Sequence, residues 1–188
     1  MAKLKVEKIF DDAKLPNKPV SNTCSGYDVY AYKVEKLYVH GGGNGESCFT
    51  TPEQFQMRQV DNNTFELQCN ERVLINTGIK ATVEDGYEIQ VRPRSGLALK
   101  QGLTVLNSPG TIDAEYRDFI GVILINTSRK MQEFKLGDAI AQIVPAKVEL
   151  LDVEECKLDD NTKRGKGGFG HSDEKSKTTS KNEEKDDV

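Results

Sequence analysis

The sequence predicts an all-β domain, a jelly-roll-like sandwich or barrel of short strands. Short apolar or alternating runs recur along the chain, and turn-forming residues punctuate them. Leu4 to Ile9 half alternates. Arg72 to Val83 carries Val73, Ile75, Ile79, Ala81 and Val83 and breaks at the turn-like Asn76-Thr77-Gly78. Tyr87 to Arg92 alternates strictly, as a strand with one wet face does. Ser95 to Lys100, just after Pro93, suits a turn and a half of helix. Asp113 lies between Gly110-Thr111-Ile112 and Tyr116, a pattern that predicts a tight hairpin turning at Ala114-Glu115. Phe119 to Ile125 and Ala139 to Val144 are continuous apolar runs and predict buried strands. Turns fall at Asp85-Gly86, Ser108-Pro109-Gly110 and Leu136-Gly137-Asp138.

Two stretches interrupt this pattern. About residues 34–69 read as an insert with its own short helix. Gly41-Gly42-Gly43-Asn44-Gly45 must loop, and Thr51-Pro52-Glu53-Gln54 looks like a capped helix start. From Glu174 to Val188 only the last residue is apolar, which predicts a disordered tail. Upstream of it, 160–173 reads as a flexible arm holding the glycine-rich Arg164 to Gly170.

Composition narrows the classes. A chain of 188 residues predicts one domain with trimmings. The net charge of −4 argues against a nucleic-acid binder. The longest apolar stretches fall far short of the ~18 residues of a membrane span. The start of the chain has no secretory h-region. Four widely spaced cysteines without CxxC then predict reduced thiols in a cytoplasm. A zinc site at His40, Cys48 and Cys69 would lack the usual paired ligand spacing.

Three patches could carry chemistry. Pro93-Arg94-Ser95-Gly96, between a strand and a helical turn, could cradle phosphate, and so could the glycines after Arg164. Asp113 beside Tyr116 could be a base next to a stacked ring; each patch alone has a bland structural reading.

Taken in order, five patches resemble the motifs of the homotrimeric dUTP diphosphatases, the dUTPases. They are Ser25-Gly26-Tyr27-Asp28-Val29-Tyr30-Ala31, Arg92-Pro93-Arg94-Ser95-Gly96-Leu97-Ala98, Gly110-Thr111-Ile112-Asp113-Ala114-Glu115-Tyr116-Arg117, Lys135-Leu136-Gly137-Asp138-Ala139-Ile140-Ala141-Gln142, and Arg164-Gly165-Lys166-Gly167-Gly168-Phe169-Gly170. The resemblance spans nearly all of 1–173 and has a phage or bacterial style. It implies a homotrimer with shared sites: the third motif from one subunit, the first, second and fourth from another, the fifth from the last.

The resemblance also implies roles. The reaction is dUTP plus water giving dUMP and pyrophosphate. Asp113 would deprotonate the water that attacks the α-phosphorus. Tyr116 would pack under the deoxyribose and exclude a 2′-hydroxyl. Asn107 and the backbone of Gly110, Thr111 and Ile112 would read uracil. Arg94, Ser95 and Gly96 would hold phosphate. Arg164, Gly167, Gly168, Gly170 and Ser172 would hold the γ-phosphate, and Phe169 would stack over the uracil. Mg²⁺ would sit on the phosphates, with Asp28 and Gln142 holding its waters.

Departures from the family pattern are Asp118 for a glycine, Ala139 for an arginine, His171 for a serine and Asp173 for a glycine. Asp118 is tolerable there because Asp visits positive φ readily. The insert could dock a regulatory protein. Rival readings are a nucleotide-sensing regulator and a dCTP deaminase, which shares the fold but lacks the Asp-x-x-Tyr hairpin.

Overall fold

A computed structural model of the chain describes residues 3–21, 23–40, 47–49, 58–163 and 165. The predicted insert helix at Thr51 lies outside them, as do Arg164, Gly167 to Gly170, Ser172 and the tail. The chain divides into two units, 1–150 and 151–188. In the second, the described residues form no helix or strand, and Leu151, Val153 and Leu158 are exposed.

The first unit is all-β with one described helix. Its strands are β1 (Lys5–Lys8), β2 (Tyr27–Tyr30), β3 (Lys33–His40), β4 (Ser47–Phe49), β5 (Thr64–Leu67), β6 (Arg72–Asn76), β7 (Ile79–Thr82) and β8 (Tyr87–Arg92). Helix α1 (Ser95–Gln101) follows, then β9 (Leu103–Val105), β10 (Gly110–Ile112), β11 (Gly121–Asn126), β12 (Gln132–Lys135) and β13 (Ala139–Lys147). One larger sheet has the order β10-β8-β13-β2 and the other β4-β3-β6-β11-β9. Two small sheets pair β1 with β7 and β12 with β5. Every pairing is antiparallel.

The core follows from alternation. Ile89, Val91 and Ile143 from one large sheet share a buried cluster with Val73, Ile75, Val122 and Leu124 from the other. Each such side chain contributes about 1.5–3 kcal/mol by leaving water. The break at Asn76-Thr77-Gly78 is real. Gly78 has φ +75, and a Cβ there would lie 2.8 Å from the Ala13 Cβ, so only glycine fits.

Four expectations change. The run from Phe119 to Ile125 is not buried on both faces: in β11 Val122 and Leu124 are buried, while Gly121, Ile123 and Ile125 are half-buried. Strands β3 and β5 fall inside the stretch read as an insert, yet Val34, Leu37, Phe65 and Leu67 are core residues. Phe65 stacks on Phe134 of β12 with ring centroids 5.5 Å apart, a long-range partnership invisible in either short segment. The hairpin at Ala114-Glu115 forms its turn, with the Tyr116 N–H donating to the Asp113 carbonyl (3.1 Å), but not its ladder. Strand β10 pairs with β8 instead, and 116–120 is irregular. Asp118 is not at positive φ; its carboxylate accepts from the Phe119 N–H at 2.7 Å.

Candidate active site

Three strands bring together the first of the residues expected on the phosphate side. Strand β13 lies between β8 and β2, and Gln142 is level with Asp28 on one side and Arg92 on the other. Two residues past Arg92, Arg94 turns back toward this row. Its Nε donates to Asp28 Oδ1 at 3.1 Å, and its Nη1 donates to the Ala139 carbonyl at 2.8 Å. Asp28 is buried, so the guanidinium supplies the partner that a charge there requires.

Gln142 is held as firmly. Its Nε2 donates to the Pro93 carbonyl at 3.0 Å. Its Oε1 lies only 2.1 Å from where a Cβ on residue 26 would stand, so Gly26 is required by space, not by φ. At Gly96 the reverse holds: a Cβ would meet nothing within 4 Å, so packing inside this chain does not ask for glycine there. Ser95 and Gly96 open α1 and are exposed, with helix-start N–H groups unpaired within the helix.

The residues expected to read uracil are also close. Gly110 is buried, and a Cβ on it would lie 3.0 Å from Asn107 Nδ2, so the Asn107 amide rests against bare backbone. Thr111 is exposed and Ile112 half-buried. Beyond them the turn presents Asp113 and Tyr116 to solvent. The Tyr116 hydroxyl donates to the Phe119 carbonyl at 3.1 Å, which fixes the ring. Burial, with Asp118 adding, pushes its phenol above the ordinary range. The Asp113 carboxylate takes no hydrogen bond among the described residues.

What the chain does not do is bring Asp113 and Arg94 together. Ile112 pairs with Ile89, so Asp113 is level with Glu88. The Arg94 guanidinium is held in the row of Arg92, Gln142 and Asp28, four residues or roughly 13 Å along β8 from Glu88 at ~3.3 Å per residue, and against β2, three strands across from β10. Arg92 lies between them, but its Nε is bound to Gln90 Oε1 at 2.9 Å. The recess around Asp113 is also lined by Asp85, Glu88 and Glu115, and among the described residues no lysine or arginine lines it. Such a recess repels a triphosphate unless cations come from elsewhere.

Among the described residues no cluster of three His, Cys, Asp or Glu side chains could hold a metal. Cys24, Cys69 and Cys156 are free thiols. No described helix is long and apolar enough to cross a membrane.

Residues 55–173 match the family model for dUTPase. The chain belongs to the dUTPase family. It is 42% identical over 168 residues to a deoxyuridine 5′-triphosphate nucleotidohydrolase of Hydrogenobaculum sp. (strain Y04AAS1), covering 89% of this chain and 96% of that relative. Solved dUTPase structures share its fold at lower identity. A mutant Staphylococcus bacteriophage 80alpha dUTPase with dUpNHpp is 19% identical, with a TM-score of 0.66 over 90% of this chain and 98% of its own. A mutant dUTPase from phage phi11 of S. aureus, whose structure describes coordination of a structural Mg(II) ion, is 17% identical, with a TM-score of 0.60 over 85% and 99%. A dUTPase identity sets the deaminase reading aside. Sequence reasoning missed what holds the dUTPase turn in place: Thr82 lies outside every motif, and Arg117, though in the third, was given no role, because their meaning lies in contacts across the fold.

Proposed function

We propose that this dUTP-hydrolysing enzyme builds each active site from more than one copy of its chain. The observation that carries this is the separation of Asp113 from Arg94 along β8, with acids and, among the described residues, no cation lining the Asp113 recess. In a homotrimer, the Asp113 end of one copy meets the Arg94 end of the next. The arm at 160–173 of the remaining copy would close the site, with Arg164, Gly167, Gly168, Gly170 and Ser172 on the γ-phosphate and Phe169 over the base.

The residue roles follow. Asp113 takes a proton from water as the oxygen attacks the α-phosphorus, and pyrophosphate leaves from dUMP. The fixed Tyr116 ring packs against the deoxyribose and leaves no room for a 2′-hydroxyl. The Asn107 amide and the bare edge at Gly110 read uracil. Arg94, with the N–H groups of Ser95 and Gly96, stabilises charge on the phosphates.

dUTPases generally use Mg²⁺, and the donor set here fits it. Asp28 and the Oε1 of Gln142 are hard oxygen donors side by side on adjacent strands, suited to holding the waters of a Mg²⁺ ion. Bound to the triphosphate, the ion would neutralise charge and make the phosphorus more electrophilic. The protein works in the cytoplasm, and the insert, whose centre lies outside the described residues, would offer a surface for a regulatory protein.

Complementation tests the shared site. Asp113→Ala and Arg94→Ala chains are each inactive alone. Co-expressed and purified as mixed trimers, they should regain about a third of wild-type sites, the one junction in each trimer that pairs one copy's Asp113 with another's Arg94. No recovery in mixed trimers would place both residues in one chain's own site.

A further inference from the structure

We propose that Thr82, outside every motif, is a positioning residue that aims Asp113. This rests on the reading of Asp113 as the base. The carboxylate has no hydrogen-bond partner among the described residues, so only its backbone can direct it. That backbone is bolted down. Thr82 Oγ1 donates to the Ala114 carbonyl at 2.7 Å. The Nη1 of Arg117 donates its two protons to the same carbonyl at 2.6 Å and the Tyr116 carbonyl at 2.8 Å, one of them shared with Thr82 Oγ1 at 3.2 Å. A hydroxyl has one proton and two lone pairs, so Thr82 gives to Ala114 while receiving from Arg117.

The turn bond from the Tyr116 N–H to the Asp113 carbonyl completes the frame. The carbonyls of Asp113 and Ala114, on either side of the Ala114 Cα, are thus both pinned. Thr82 itself is anchored: it closes β7 and pairs with Lys5 of β1. The clamp therefore ties the irregular turn to a regular strand, where position is fixed by a ladder. A base aimed in this way needs no partner for its carboxylate, which stays unshared and ready to accept a proton from water.

The test is steady-state hydrolysis of dUTP by the full chain with Mg²⁺. Thr82→Val keeps the β-branched shape and removes the hydroxyl. It should lower kcat about tenfold with KM within about twofold, as misaiming of a catalytic group does. Thr82→Ser should restore kcat. In an Asp113→Ala background, Thr82→Val should remove nothing further from the residual rate.

Wild-type kcat in Thr82→Val overturns the proposal, as does a loss confined to KM or an equal loss in the Asp113→Ala background. If Thr82→Val fails to fold, Arg117→Lys is read in its place: a fall in kcat alone supports the clamp and an unchanged kcat overturns it. The base reading fails separately, by full turnover in Asp113→Ala, and the clamp falls with it.

Discussion

The two ends of β8 are built on opposite principles. At the Arg94 end, charge is paired and side chains are locked: Arg94 with Asp28 and Ala139, Gln142 with Pro93 and Gly26. At the Asp113 end, the carboxylate is bare among the described residues, its neighbours are acidic and the order lies in the backbone. On the proposed reading, each end is half a site. One would bind a polyanion and hold its cation ready; the other would perform a proton transfer and leave its acceptor unshared.

The sharpest way to break this contrast is at the base. Asp113→Ala should cut kcat by at least ~10²-fold while a non-hydrolysable dUTP analogue still binds, measured by calorimetry. Lost binding with chemistry intact would reassign the residue to the phosphate half. The opposite end is probed at Gly26. A methyl group there would stand 2.1 Å from Gln142 Oε1 and must swing the amide off the Pro93 carbonyl. Gly26→Ala should lower kcat/KM by about tenfold and shift its Mg²⁺ dependence to higher concentration, with the oligomeric state unchanged. An unchanged Mg²⁺ titration would remove Gln142 from the ion's surroundings.

The smallest effect is expected at Asp61, remote from both ends. The N–H of Asn63, with the Thr64 hydroxyl and N–H, holds its carboxyl below the usual carboxylate range. A depressed folded pKa stabilises the protein fully above the ordinary value near pH 4, and that stabilisation is lost as pH falls through the folded value. Asp61→Asn should therefore flatten the decline of Tm in acid and leave turnover at pH 7 within about twofold. A parallel decline in both proteins would show that other carboxylates govern acid stability.

Much of this was legible in the chain. Strict alternation placed β8, and the turn-like Asn76-Thr77-Gly78 separated β6 from β7. Strands β5 and β12 were hidden because each is short and largely polar, and their buried rings make sense only when Phe65 meets Phe134. Strand β3 was hidden by its lysines, which face water while Val34 and Leu37 face inward. The motif residues were legible as types in order. Their spacing in three dimensions was not, because register decides which end of β8 each one reaches. Thr82 was illegible for the same reason: one threonine in a strand says nothing until the carbonyl it grips is known.

The separation of the two halves has a genetic consequence, on the shared-site reading. Each polypeptide serves neighbours on both sides, giving its acid to one and its arginine to another. A copy damaged in both places therefore spoils two pockets at once, and defective gene product would poison healthy product in a cell making both.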